Sequence, residues 1–129
     1  MVESRFFPRG DGMRKLVIGA LVLAALGGCA GSKMNAARSS PPYKTLASDK
    51  AALVVAQCVQ FGWQDETVFG VDAGGFKEPI EADGFTVYTT GGDYFVDVRS
   101  AGAGSSVHYY AADDSMVAKR RLAALATCL

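Results

Sequence analysis

The sequence predicts a small single α+β domain, in which an antiparallel sheet of three to four strands carries an N-terminal and a C-terminal helix on one face, with a disulfide linking the helices. Three observations carry that expectation. Apolar residues recur at helical spacing at both ends of residues 48–129. Between them, β-rich runs alternate in sidedness around Gly-rich turns. Cys58 and Cys128 fall one in each helical run.

The chain begins with a segment of a different kind. Leu16 to Leu26 is an uncharged apolar run behind Arg14 and Lys15. It holds 11 residues, whereas a spanning helix needs roughly 20 and a secretory apolar core about 7–15. It also lacks the polar face of an amphipathic core helix. Residues 1–28 therefore read as an export signal. Met13 stands where such a signal would start, so residues 1–12 read as an upstream start rather than as structure.

The run ends in Leu26-Gly27-Gly28-Cys29, which resembles the lipobox of bacterial lipoproteins. The resemblance covers the signal alone. It implies that Cys29 becomes the first mature residue and carries acyl chains on its thiol and α-amine. Each buried methylene contributes about 0.8 kcal/mol, and two or more chains make an anchor stable. Ala30, not Asp, follows the cysteine, which by the same resemblance points to the periplasmic face of the outer membrane.

Residues 29–47 are expected to be a lipidated flexible tether, rich in Gly, Ser, Asn and Ala and carrying Pro41-Pro42. Ser48 then suits an N-cap for a helix from Asp49. Ala51, Val54, Val55, Cys58 and Phe61 recur on one helical face, Gly62 fits a C-terminal stop, and Trp63 folds back onto the apolar face. Thr67 to Val71 reads as one short edge strand, and the acidic stretch with Gly74-Gly75 and Pro79 as loop.

Phe85 to Thr90 and Tyr94 to Arg99 flank Gly91-Gly92-Asp93. A two-residue Gly-Gly turn of type I′ or II′ pairs Thr90 with Asp93, Val87 with Val96 and Phe85 with Val98. One face then carries Phe85, Val87, Tyr94, Val96 and Val98; the other carries Thr86, Tyr88, Phe95, Asp97 and Arg99. Ala101 to Gly104 turns the chain into a third strand, Ser105 to Ala111. Asp113, Asp114 or Ser115 caps a final helix, about Met116 to Thr127, with Val117, Arg121, Ala124 and Cys128 in one stripe beside Leu122 and Leu125.

With Cys29 assigned to lipid, Cys58 and Cys128 form an even pair in an oxidising compartment. Neither belongs to a CxxC motif, and both sit in apolar runs that disfavour a reactive thiolate. A structural disulfide follows. From Asp49 onward six Lys/Arg face eleven Asp/Glu, a net charge of −5. An acidic domain without a basic stripe excludes nucleic acid as an expected partner.

No motif discloses an activity. His108 is the sole histidine, so a histidine metal cluster is impossible, and neither a metal nor a cofactor is expected. Ser105 and Ser106 lack a nucleophile-elbow setting. The reading is of a protein that is not an enzyme. With both helices on one side, Tyr88, Phe95, Tyr110, His108 and Arg99 would lie on an open sheet face, an aromatic platform for an envelope protein or peptidoglycan. The alternative is an inhibitor of a secreted or periplasmic hydrolase, acting through the Ala101–Gly104 or Ala73–Gly75 loop.

Overall fold

The computed structural model describes residues 29–66 and 74–129. The apolar run, the lipobox-like tetrapeptide before Cys29 and the expected strand at Thr67–Val71 lie outside the described residues. In chain order the elements are α1 (Cys29–Arg38), β1 (Lys44–Ser48), α2 (Ala52–Asp65), β2 (Phe76–Ile80), β3 (Gly84–Tyr88), β4 (Tyr94–Ala101), β5 (Gly104–Ala111) and α3 (Met116–Ala126). The five strands form one antiparallel sheet in the order β1-β5-β4-β3-β2.

The α+β arrangement and the disulfide are as expected; the strand count is not. Five strands replace three to four, because β1 and β2 come from segments read as tether and loop. Both are edge strands with mostly exposed side chains. An edge strand needs only one partner and shows little apolar alternation, so its sequence resembles a loop. Pro79 sits within β2, a position an edge permits.

The core lies between the sheet and the α2/α3 layer. Val55, Val59 and Trp63 of α2 meet Val87, Val96, Val98, Val107 and Tyr109 of the sheet, with Leu125 and Cys128 closing the α3 side. Cys58 and Cys128 are bonded, with Cα atoms 5.7 Å apart. Buried polar tips are satisfied across the layer: Trp63 Nε1 donates to the Arg121 carbonyl at 3.1 Å, and the Tyr109 hydroxyl donates to the Ala118 carbonyl at 2.8 Å.

Helix ends differ from expectation in two of three places. Ser48 ends β1, and its Oγ accepts from Lys50 N at 3.1 Å, so α2 begins later, after Ala51, without a side-chain cap. Gly62 does not stop α2, which continues to Asp65 because Trp63 is buried from within the helix. Ser115 does cap α3, accepting from Ala118 N at 3.2 Å.

The central hairpin keeps its register, Val87 opposite Val96 and Phe85 opposite Val98. The Thr90–Asp93 ladder pair is replaced by a one-turn 3-10 segment at Thr90–Gly92, closed by Thr89 N donating to Tyr94 O at 3.0 Å. Gly91 and Gly92 take φ of 81° and 76° there, values open to glycine.

The largest departure is on the other side of the sheet. The stretch read as a flexible tether forms α1, which lies against the face expected to be open. Cys29 to Arg38 is a short segment whose one large apolar residue is Met34, so its helix depends on non-local contacts that no local pattern displays.

Candidate functional site

The α1-side face of the sheet is where the expected binding residues lie. Register brings Tyr88, Phe95 and Tyr110 into one row across β3, β4 and β5, and Thr86, Asp97 and His108 into the next. The sidedness read from the sequence therefore holds for Tyr88, Phe95, Tyr110, His108 and Arg99. Their accessibility does not. Phe95 is 1% exposed and Tyr110 8% exposed, and the two rings stack at 4.6 Å beneath α1. Tyr88, Arg99 and His108 remain half-buried around that floor.

Two side chains of α1 account for the cover. Met34, itself buried, packs on Phe95 and Tyr110, with Ala37 and Tyr88 beside them. One turn later, Arg38 forks onto Asp97, with Nε–Oδ2 at 2.7 Å and Nη2–Oδ1 at 2.8 Å. Its Nη2 also donates to Thr86 Oγ1 at 3.0 Å, while the Thr86 hydroxyl donates to Asp97 Oδ1 at 2.7 Å. The Arg38 guanidinium stands 5.0 Å from the Phe95 ring centroid, a cation–π arrangement. Planar bidentate pairing of this kind is among the stronger charge-assisted contacts. Lys33 pairs with Asp93 at the loop end of the same face.

Gly92 makes the approach possible. A Cβ at this residue would stand 3.1 Å from Met34 Cγ and 3.2 Å from the Ala30 carbonyl. The glycine thus serves both the turn conformation and the seating of the first α1 turn.

Burial pushes the Asp97 carboxyl up, but hydrogen bonds from Arg38 and Thr86, with the charges of Arg38 and Arg99, outweigh it and hold the group below its ordinary value. Arg99 Nη1 is 3.6 Å from Asp97 Oδ2. The carboxylate is thus committed to two arginines and a threonine. On the β2 side, the Tyr88 hydroxyl donates to Glu78 at 2.7 Å, and that bond, with burial, raises the phenol to about 12. A groove of about 330 Å³ opens between the end of α1, the segment that follows it and the end of β5, lined by Ala37, Ser40, Pro41, Tyr43, Tyr110 and Ala111.

Met34 and Arg38 were not legible as site residues. Asp97 offered the one signal, a carboxylate inside the β-rich run Tyr94 to Arg99, which needs a cation if it is covered. That cation is 59 residues away in sequence. Among the described residues, no group of three His, Cys, Asp or Glu side chains could hold a metal ion. No family model, curated protein or solved structure matches the chain.

Proposed function

We propose that this protein is a lipid-anchored, non-catalytic binding or accessory module of the bacterial envelope, held at the periplasmic face of the outer membrane by acyl chains on Cys29. The observation that carries the reading is the place of Cys29. It ends the lipobox-like Leu26-Gly27-Gly28-Cys29, and it is also the first residue of α1. The anchor and the element lying on the sheet would be joined directly, without a free spacer. The Cys58–Cys128 bond fits an oxidising compartment.

On this reading the partner is an envelope protein or peptidoglycan, engaged through the half-buried rim of Tyr88, Arg99 and His108 beside α1. Phe95 and Tyr110 support α1 instead of meeting the partner. The hydrolase-inhibitor reading gains nothing comparable: Ala101 pairs with Gly104, leaving a two-residue turn of Gly102 and Ala103 with no side chain larger than a methyl group.

The reading is tested in two steps. Mass spectrometry of the full chain recovered from bacterial membranes should find an acylated Cys29 as the N-terminal residue, and Cys29→Ser should move the protein to the soluble fraction. An unmodified Cys29 in a soluble wild-type protein would refute the anchor. For the module, envelope extract passed over the immobilised protein should yield a partner that Arg99→Ala with His108→Ala loses at unchanged melting temperature. Equal capture by wild type and variant would remove the rim from consideration.

A further inference from the structure

We infer that the β1 edge is a self-association surface, on which a second copy of this chain adds its own β1 in antiparallel register about Leu46. The inference is independent of the lipid anchor and of the rim.

Backbone directions follow from one hydrogen bond. Thr89 N donates to Tyr94 O, so Tyr94, Val96 and Val98 aim their backbone groups at β3, and Phe95, Asp97 and Arg99 aim theirs at β5, by the alternation of antiparallel ladders. His108 lies opposite Asp97 and bonds back to β4; Val107 and Tyr109 therefore turn to β1. Their partners Leu46 and Lys44 bond inward. Thr45 and Ala47 are left with N–H and C=O groups directed away from the sheet. Among the described residues, no backbone hydrogen bond reaches these groups.

The same reasoning at the opposite edge gives a contrast. Glu78 and Phe76 lie opposite Thr86 and Tyr88 and bond inward, so Lys77 and Pro79 point out. Pro79 has no N–H to offer, and Lys77 places a charge there. Lysine and proline are common devices by which sheet edges resist pairing. The outward positions of β1 carry neither.

The occupant is a second copy because β1 complements itself. A two-fold axis at Leu46 sets Thr45 opposite Ala47 of the other copy, twice, so that four backbone hydrogen bonds form between small side chains. Leu46 already packs against the core, and the axis extends that contact to its counterpart. Lys44 then comes opposite Ser48 of the second copy, beside its Asp49. Lys44 and Asp49 are exposed, and among the described residues neither has an ion-pair partner. The symmetry brings Lys44 near the second copy's Asp49, just past the end of β1, at both ends of the pairing.

The Leu46 pair would be a non-hydrogen-bonded one, with Cα atoms about 4.5 Å apart, within reach of a disulfide. The test is oxidative cross-linking of the full chain in intact bacterial cells, where it reads the pairing whether or not Cys29 is acylated. Leu46→Cys should give a covalent homodimer in clear excess over both the wild type and Gln57→Cys, whose cysteine lies exposed on α2. Adding Ala47→Pro removes one outward N–H, as Pro79 does at β2, and should cut dimer yield at least about tenfold because symmetry deletes two bonds. If that variant does not fold, Thr45→Lys with Ala47→Lys sets like charges across the axis and should give the same loss. Homodimer yield no greater than for Gln57→Cys, an unchanged yield in a folded Ala47→Pro protein, or an adduct with a different protein in place of the homodimer would each overturn the inference.

Discussion

Arg121 shows how much can depend on one side chain. It is 0% exposed, its Nη1 lies 3.3 Å from the Trp63 carbonyl and 3.7 Å from Glu66 Oε2, and its guanidinium stands 5.6 Å from the Trp63 ring centroid. Removing one partner of a buried ion pair commonly costs about 3–5 kcal/mol. Arg121→Ala is therefore expected to lower stability by that order, seen as a fall in the urea midpoint. Arg121→Met keeps the volume but should recover only part of the loss, since the Trp63 carbonyl and the Glu66 carboxyl would both lose the guanidinium. Asp97 makes a second prediction at this scale. Its folded-state pKa lies below the ordinary 3.8. The stabilisation it supplies is therefore complete above that value and is lost as pH falls through the depressed folded value. Wild-type stability should drop as pH falls below the ordinary carboxylate value of 3.8, and Asp97→Asn should flatten that part of the profile. An equally steep acid limb in the variant would assign the drop to other carboxylates, Asp113 first among them, because hydrogen bonds from Ser115 and Tyr94 also hold it below its ordinary value.

Among the elements, α1 is held most lightly. Helices of fewer than about 12–15 residues are marginal alone in water, and α1 has 10, with Met34 and Ala37 as its apolar contacts and Lys33 and Arg38 as its ion pairs. Segments with few buried contacts open at lower free energy than the core. Met34→Ala should accordingly raise amide hydrogen exchange through α1 while leaving β4 and β5 protected. Parallel loss of protection in β4 would mean that α1 and the sheet open as one unit. The elements also differ in how legible they were. α2 and α3 carry apolar stripes that local spacing reveals, and β3 to β5 show the alternation of strands that face a core. β1 and β2 do not, since an edge strand meets one neighbour and exposes most of its side chains. α1 was invisible for a stronger reason: its helix is stabilised by Asp93, Asp97, Phe95 and Tyr110, all more than fifty residues away.

For the whole molecule, the Cys58–Cys128 bond joins residues 70 apart. Chain-entropy estimates for a loop of that length give about 4 kcal/mol of stabilisation, a large share of the roughly 5–15 kcal/mol typical of a domain. Reduction, or Cys58→Ala with Cys128→Ala, should lower unfolding free energy by that order. A change below about 1 kcal/mol would show that the reduced chain already keeps the helices together. The molecule has three layers, with α2 and α3 on one side of the sheet and α1 on the other, and the two sides are held differently. The α2/α3 side is a continuous apolar core. The α1 side has a small apolar centre and a half-buried arginine on a buried carboxylate, so salt and acid should act on it first.

By itself the sequence determined what local chemistry can express: the α+β class, the two helices of the core layer, the register of β3 against β4, the pairing of two cysteines, and which side chains share the α1-side face. Each depends on periodicity, turn residues or elimination within a short window. Tertiary structure alone decided what lies upon that face. Whether Phe95 and Tyr110 are a platform or a floor depends on Arg38 finding Asp97, and nothing within either segment records that encounter. Two charges distant in sequence attract one another strongly only when the fold brings them together and thins the water between them, and that attraction must offset the cost of desolvating them.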